Sequence, residues 1–223
     1  METFSPLVEW VPVCPEVEIG LAAPREPIQL VRSGDVIQLR TVATDVDLTE
    51  RMKRYARTRV TAIAKEDLCG YVFKARSPSC GVKGVRVLDQ RRGAGRRDAI
   101  SRTGHGLFAD ELIRRYPNLP VAEETALWDL QHRSNFIERV FAYRAIRTLF
   151  TSGWTPRDLA AFHASHRPAL LSHSASAYRL LDRLVREAAT MPRRELAHRY
   201  EAEFMQTLAR LPRRRSSPSP SPP

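Results

Sequence analysis

The pattern of apolar and polar positions predicts short strands near the start of the chain. Leu7–Val13 is an apolar run that ends before Pro15, which is typical of a strand. Apolar and polar residues alternate over Ile28–Arg32 and Val36–Arg40, on either side of Ser33-Gly34-Asp35. Because glycine and aspartate favour tight turns, this arrangement predicts a β-hairpin.

After the hairpin the pattern alternates between helices and strands. Asp47, three residues before Glu50, predicts a capping box for a helix that ends near Lys65. The apolar face of this helix would consist of Met52, Tyr55, Val60 and Ile63. Strands are predicted over Tyr71–Ala75 and Val85–Leu88, and a helix over Leu107–Tyr116. Strands that alternate with helices indicate an α/β domain with a largely parallel sheet, which we place at residues 1–130.

From Ser134 onwards the pattern is helical throughout. Thr155, Pro156 and Asp158 are typical of a helix N-terminus, with an N-cap, a proline at the first helical position and an acid at the third. Later apolar faces consist of Tyr178, Leu181, Val185 and Ala188, and of Leu196, Tyr200, Phe204 and Leu208. We therefore predict an all-α domain over residues 131–212, followed by a disordered Arg/Ser/Pro tail over residues 213–223.

Composition and charge narrow the functional classes. The 223 residues include 36 Lys and Arg against 25 Asp and Glu, a net charge of +11, and almost all of the basic residues are Arg. Arg binds phosphate through paired hydrogen bonds, so this excess favours a nucleic-acid partner, whereas a GC-rich genome explains only the choice of Arg over Lys. No apolar run reaches the roughly eighteen residues that cross a membrane, and the first residues do not resemble a signal peptide. We expect a cytoplasmic protein with no membrane partner.

The three cysteines are predicted to be free, catalytic or metal-bound, because disulfides are rare in the cytoplasm. Cys14 and Cys80 each lie close to a proline, just past the end of a predicted strand. Loops at the carboxyl ends of strands meet at one crevice in α/β sheets, so both thiols are expected there. Such rigid presentation suits a metal ligand or a nucleophile. Cys69 lacks these neighbours, which favours a buried, inert thiol.

A basic loop and a group of histidines leave alternatives open. The loop over residues 91–97 suits either an RNA contact or a solvated surface, and its basic residues are Arg91, Arg92, Arg96 and Arg97. His163 and His166 are three residues apart on one predicted helix, with His173 beyond them. They suit packing, RNA contact or a zinc site, which would need further ligands.

Several motifs resemble known families. Cys14-Pro15-Glu16, Pro24-Arg25-Glu26-Pro27 and the segment Lys74–Gly81 resemble the TudS-type desulfidases. The stretch from Asn135–Arg144 through Phe162–His166 resembles the YbgA family. The two domains in this order are similar to the RudS-type proteins, which remove sulfur from 4-thiouridine in tRNA. The likeness extends from residue 1 to about residue 210.

The resemblance implies a [4Fe–4S] cluster that three cysteines hold, with the fourth iron open to the sulfur of the substrate. Cys14 and Cys80 match two of these ligands. In the family the third cysteine belongs to a segment before the first helix, and this sequence lacks that segment. The YbgA-like domain also stops early, at the Arg/Ser/Pro tail. We therefore expect a chain that is truncated at both ends and lacks one cluster ligand.

The chemistry of a thiocarbonyl agrees with this implied site. The soft sulfur binds an open iron, whose Lewis acidity draws electrons from the attached carbon. Water then attacks that carbon and a carboxylate takes its proton, a role for which we choose Glu16. Ser77 and Ser79 are chosen to donate a hydrogen bond to the substrate or to relay a proton. The alternatives are an ion pair of Glu16 with Arg25, and serines that only cap backbone amides of the turn.

Two functions from different classes follow. The leading hypothesis is an iron–sulfur-dependent desulfidase of thiolated uracil, above all of 4-thiouridine in tRNA. The alternative is a non-catalytic or vestigial RNA-binding protein that has lost its cluster. We assign substrate or RNA contacts to Arg25, Lys74 and Arg76 together with the four arginines of the basic loop. The partner is then tRNA or a thiolated nucleobase, and the sequence does not predict an oligomeric state.

Overall fold

The computed structural model describes residues 8–89 and 99–212. The described residues divide into two compact units. The first runs to Leu68 and resumes over Phe73–Tyr116, whereas the second comprises Cys69–Val72 and the chain from Pro117 onwards. The predicted basic loop at 91–97 and the predicted tail at 213–223 lie outside the described residues.

Six strands occur in the described residues: β1 (Ile28–Ser33), β2 (Val36–Thr41), β3 (Tyr71–Phe73), β4 (Val85–Asp89), β5 (Ala99–Gly104) and β6 (Val121–Glu123). The helices are α1 (Pro15–Glu18), α2 (Thr49–Ile63), α3 (Leu107–Arg115), α4 (Leu130–Thr151), α5 (Pro156–Ser165), α6 (Arg167–His173), α7 (Ala175–Arg186) and α8 (Arg193–Ala209). Short 3-10 turns lie between some of them. The predicted fold class, an α/β region followed by an all-α region, is confirmed.

A four-stranded sheet of order β2-β1-β4-β5 forms the centre of the first unit. β1 and β4 are parallel, whereas the outer pairs β1–β2 and β4–β5 are antiparallel, so this sheet contains a parallel pair but is not largely parallel as predicted. The predicted hairpin is confirmed, with Ser33 paired to Val36 across a two-residue turn. Gly34 has a φ of 62°, a left-handed conformation that glycine adopts without steric cost.

Helix α2 covers the sheet region with the apolar face that the sequence predicts. Of the predicted residues, Met52, Val60 and Ile63 are buried and Tyr55 is half-buried, and Ala56 is buried as well. The predicted capping box is wrong, because the helix begins one residue later and its N-cap is Leu48. Asp47 instead accepts a hydrogen bond from the Thr49 N–H at 2.8 Å, and the Thr49 hydroxyl accepts one from Leu39 N–H at 2.9 Å. The helix start is therefore tied to strand β2.

The predicted strand at Leu7–Val13 is wrong for its described part, residues 8–13, which are not in a strand. Trp10 and Val11 are 42% and 45% exposed, so this apolar segment is not a buried strand. The one-turn helix α1 follows, with Cys14 as its N-cap and Pro15 at its first position. Cys14 therefore does not follow the end of a strand; it precedes a helix.

The second unit contains helices α4–α8 around an aromatic core. Tyr200 and Phe204 are fully buried and their rings stack with centroids 5.9 Å apart. The predicted start of α5 is confirmed, since Thr155 and Asp158 form a capping box. The short sheet of β3 and β6 belongs mainly to this unit, and the Tyr71 N–H donates to the Pro120 carbonyl at 2.9 Å. Within the described residues, no helix is long and apolar enough to cross a membrane.

Candidate active site

Glu16 lies at the centre of a hydrogen-bonded cluster in the first unit. One carboxylate oxygen, Oε2, accepts a hydrogen bond from Arg25 Nε at 2.6 Å. The other, Oε1, accepts one from the Ser79 hydroxyl at 2.7 Å and has the Ser77 hydroxyl at 3.3 Å. Helix α1 thus brings the Glu16 carboxylate onto a turn more than sixty residues later in the chain.

The two serine hydroxyls form an ordered chain towards Glu16. Ser77 Oγ and Ser79 Oγ are 2.9 Å apart. A hydroxyl has one hydrogen, and the Ser79 hydrogen is used in the short bond to Glu16, so Ser77 donates to Ser79. Ser79 is fully buried and Ser77 nearly so. The order of donation is therefore Ser77 to Ser79 to the Glu16 carboxylate.

The Ser77–Gly81 turn is closed by its own backbone and by Ser77. The Ser77 hydroxyl oxygen accepts weak hydrogen bonds from the N–H groups of Ser79 and Cys80, each at 3.3 Å. Gly81 N–H donates to the Ser77 carbonyl at 2.8 Å. Ser77 therefore caps backbone N–H groups of the turn, which was one of the two roles that the sequence left open for the serines. It also contacts Ser79 and Glu16.

The start of helix α3 holds this turn from the other side. Phe108 N–H donates to the Ser79 carbonyl and Gly106 N–H donates to the Gly81 carbonyl, both at 2.8 Å. A Cβ atom on Gly106 would overlap the backbone of Ser79 and Cys80. Glycine at this position allows the two backbones to approach.

The surroundings of Glu16 favour its charged form. Burial raises the pKa of Glu16, but the hydrogen bond from Ser79 and the hydrogen bond and charge of Arg25 together lower it by more. The net result is a pKa below the ordinary value for glutamate. Glu16 is therefore a carboxylate at neutral pH. Its side chain keeps 16% exposure, so it is not sealed from solvent.

Two thiols lie beside the hydrogen-bonded group of Glu16, Ser77 and Ser79. Cys14, two residues before Glu16, is exposed, and its Sγ lies 4.0 Å from Arg25 Nη2. Cys80 is half-buried, and its N–H contacts the Ser77 hydroxyl. Iron–sulfur clusters are held mainly by cysteine thiolates, so these two are the suitable donors here. Across residues 8–89 and 99–212, however, no three His, Cys, Asp or Glu residues are grouped as a metal site. Among the described residues, Cys14 and Cys80 are therefore candidate ligands that no third such residue joins.

Of the remaining predicted binding residues, some lie at or beside Glu16 and others lie outside the described residues. Arg25 contacts Glu16 and Cys14, so the predicted ion pair with Glu16 is present in the structure. Lys74 and Arg76 are exposed beside the turn, and Arg76 has a φ of 60°, which is uncommon outside glycine. Arg91, Arg92, Arg96 and Arg97 lie outside the described residues. Cys69 is half-exposed and belongs to the second unit.

The histidines of the second unit make packing contacts. His163 is buried, its Nδ1 is 2.9 Å from the Tyr200 hydroxyl, and its ring stacks on Tyr178. His166 stacks on Phe162, with ring centroids 4.1 Å apart. His173 is buried, and its Nε2 is 3.0 Å from Glu138. In the described part of this unit none of them joins a group of metal ligands.

Two supporting residues were not assigned a role from the sequence. Gly106 allows the Ser79–Cys80 turn to contact α3, and its only sequence signal was its place in the family-like stretch that begins Gly106-Leu-Phe-Ala-Asp. Arg59 on α2 binds Glu18 of α1, with Nε 3.2 Å from the carboxylate. No sequence signal indicated this pair, because it joins residues forty-one positions apart. It anchors the short helix that presents Glu16.

Comparisons with known proteins agree with the order of the two regions. A family model described as 2-thiouracil desulfurase matches residues 1–124, and one described as DUF1722, a protein of unknown function, matches residues 169–218. These matches confirm the two-part resemblance. A solved structure titled [4Fe-4S]-dependent thiouracil desulfidase TudS is 26% identical, with a TM-score of 0.41, over 56% of this chain and 74% of that chain. No curated protein matches.

Proposed function

Because this chain belongs to the 2-thiouracil desulfurase family, whose model matches residues 1–124, we propose that it is a desulfidase that removes sulfur from thiolated uracil. The observation that carries the proposal is the cluster of Glu16, Ser77 and Ser79 beside the thiols of Cys14 and Cys80. This cluster combines an ionised carboxylate, hydroxyl donors and two soft sulfur ligands in one unit.

The proposed reaction is hydrolytic. A water oxygen forms a bond to the carbon that carries sulfur, the carbon–sulfur bond breaks, and the water oxygen becomes the carbonyl oxygen of uracil. The two protons of the water leave with the sulfur as hydrogen sulfide. Atoms and electrons balance without an oxidant or a reductant.

Glu16 is proposed to take a proton from the attacking water. Its carboxylate is charged, partly exposed and held by the hydrogen bonds from Arg25 and Ser79, so its orientation is set before the substrate binds. Oε2 is engaged by Arg25, whereas Oε1 faces the serines. The serine chain offers a path by which a proton can be exchanged with Oε1.

We propose a [4Fe–4S] cluster as the cofactor, with Cys14 and Cys80 as two of its ligands. The support is the family and the two thiols beside the Glu16 cluster. Among the described residues the ligand set is incomplete, so we expect weak, labile binding of iron and sulfide by this chain.

The substrate is proposed to be 4-thiouridine in tRNA. The support is the net charge of +11 and the presence of a second, DUF1722-type region after the desulfurase region. A free thiolated base would need no such excess of positive charge.

The test combines iron content and turnover in cysteine variants. The full chain is incubated anaerobically with iron and sulfide, and sulfide release from 2-thiouracil, 4-thiouracil and 4-thiouridine-containing tRNA is then measured. Cys14→Ser and Cys80→Ser should each lose the remaining iron absorption and turnover. Cys69→Ser is the matched control, because Cys69 belongs to the second unit, and it should retain both.

The outcomes separate the proposals from one another. Turnover in the parent that survives both Cys14→Ser and Cys80→Ser would contradict the ligand assignment. Turnover on free bases but not on tRNA would contradict the tRNA substrate alone. Absence of turnover on all three, with tRNA binding intact, would favour the non-catalytic RNA-binding protein. A stable, stoichiometric cluster would contradict the expectation of an incomplete ligand set.

A further inference from the structure

Helix α2 has a row of basic and hydroxyl side chains on the face opposite its buried side. We name it the basic stripe. Its residues, all exposed, are Arg54, Arg57, Thr58 and Thr61 of α2 and Lys65 of the 3-10 turn that follows α2. Four of them, with Ala62, line a shallow groove of about 460 Å³. Spacings of three and four residues place these side chains on one helix face. The buried residues Met52, Val60 and Ile63 occupy the other face.

The cations of the basic stripe have no acidic partner among the described residues. Two other basic residues of α2 do, since Lys53 pairs with Glu50 and Arg59 pairs with Glu18 and Glu66. No ion pair in the described part of the chain involves Arg54, Arg57 or Lys65. The three cations of the basic stripe therefore have no neutralising carboxylate among the described residues, and the same holds for Arg51 near the start of α2. Coulomb repulsion among them would be relieved by an extended anion.

The dimensions of the basic stripe suit a run of phosphates. From Arg54 to Ile63 helix α2 rises about 14 Å, at about 1.5 Å per residue, and the 3-10 turn that carries Lys65 adds about 4 Å. Arg and Lys pair with phosphate oxygens, and threonine hydroxyls also contact phosphates in nucleic-acid complexes. Thr58 and Thr61 donate to helix carbonyls, at 3.2 and 2.9 Å, which leaves their oxygens beside the cations as small polar spacers. No large apolar side chain of α2 is exposed, so the face lacks what a membrane surface or a protein core would bury.

Helix α2 also supports the candidate active site. Arg59 of α2 binds Glu18 of α1, and α1 presents Glu16. A backbone bound along α2 would therefore be held on the same compact unit as Glu16 and Cys80.

We propose that the basic stripe of α2 binds the sugar–phosphate backbone of the RNA that carries the thiolated base. This inference rests on the proposed function for the identity of the base, but RNA binding itself can be measured without turnover. It places the backbone contact on α2, in addition to any contribution from the predicted loop at residues 91–97.

The test is salt-dependent binding of a labelled, unmodified tRNA transcript to the full chain. The stripe variant combines Arg54→Gln, Arg57→Gln and Lys65→Gln, because glutamine preserves helix propensity. The matched control combines Arg86→Gln, Arg114→Gln and Arg115→Gln, which are exposed in the same unit and remove the same charge. Circular dichroism and the melting temperature establish that both variants fold.

Each lost phosphate contact should reduce the slope of log affinity against log salt by about 0.7–0.9. The stripe variant should therefore bind about 100-fold more weakly at about 0.1 M salt if all three contacts are lost. The control should lose much less, and turnover of free 2-thiouracil should be the same in both variants.

Equal loss in the two variants, or no loss in the stripe variant, would overturn the proposal. Binding of the parent to anionic vesicles but not to tRNA would overturn it as well, in favour of a membrane surface. If no variant turns over 2-thiouracil but the stripe variant alone loses tRNA affinity, the proposed function fails and the RNA surface stands. If turnover persists and the stripe is dispensable for tRNA, the reverse holds.

Discussion

Replacing Glu16 distinguishes a catalytic role of this residue from a structural one, because the two roles predict different effects on turnover and on stability. Its carboxylate accepts bonds from both Arg25 and Ser79, so it can act as a base or as the anion of an ion pair. For Glu16→Gln we expect turnover per bound iron to fall by about 10²–10⁴, the usual contribution of a positioned base. Bound iron and the melting temperature should change little.

The control for this prediction is Glu18→Gln, two residues further on, whose carboxylate contacts Arg59 instead. It should lower stability slightly and reduce turnover per iron much less than Glu16→Gln does, because Glu18 only anchors α1 through Arg59. If Glu16→Gln keeps near-parental turnover per iron while it loses stability, the ion pair with Arg25 is its role and the base lies elsewhere.

His163 and His173 should make opposite contributions to the pH dependence of stability. Burial lowers the pKa of His163, and Asp182, 3.9 Å away, offsets this only in part. A lowered folded-state pKa means that stability is fully present above the ordinary value of about 6.5 and is lost as the pH falls below it. His163→Gln should therefore reduce the loss of melting temperature between about pH 8 and pH 5.5.

For His173 the sign is reversed. Burial lowers its pKa, but hydrogen bonds with Glu138 and the Arg210 carbonyl raise it by more. A raised pKa adds stability that is present below about pH 6.5 and is lost as the pH rises through the folded-state value. His173→Gln should therefore lose melting temperature more steeply than the parent as the pH falls from about 8 to about 5.5. The same pH slope in both variants would contradict these assignments.

At the scale of elements, the contact between the Ser77–Gly81 turn and helix α3 depends on Gly106. An added methyl group would overlap the backbone of Ser79 and Cys80, which cannot move as a flexible side chain can. Gly106→Ala should therefore displace the turn, lower the melting temperature and abolish iron binding. Thermal unfolding and iron content after reconstitution measure this.

Gly84→Ala is the matched control. Gly84 has a φ of 63° with no atom near its Cβ position, so alanine there costs only about 1–2 kcal/mol of backbone strain. It should retain iron and turnover. If Gly106→Ala behaves like Gly84→Ala, the turn is not held by α3 as closely as the structure indicates.

At the scale of the whole molecule, the chain leaves the first unit at Cys69 and returns to it at Phe73. Strand β3 is therefore completed by β6 of the second unit, through the Tyr71 N–H bond to Pro120. A fragment of residues 1–116 should expose an unpaired strand edge and aggregate, whereas a fragment of residues 1–129 includes β6 and should remain more soluble.

Amide hydrogen exchange at Tyr71 measures the same difference in the two fragments. The amide should exchange rapidly in residues 1–116 and be protected in residues 1–129. Equal solubility and equal exchange would show that β3 does not depend on β6.

The sequence alone determined the elements whose signals are local. The hairpin was predictable from Ser33-Gly34-Asp35, since the required turn conformation lies within the residues that form it. The start of α5 was predictable because its capping residues are three positions apart. The family was recognisable from short motifs such as Cys14-Pro15-Glu16, because a run of consecutive residues can be identified without knowledge of the tertiary contacts.

Only the tertiary structure decided which distant residues meet. Leu7–Val13 has the composition of a strand, but a strand needs a partner edge, and its described residues are not in a strand. Glu16 and Ser79 are sixty-three positions apart, and nothing local indicates that one hydroxyl takes Oε1 while Arg25 takes Oε2. Hydrogen bonds act over about 3 Å, so the partner of a side chain depends on how α1, the Ser77–Gly81 turn and α3 pack together.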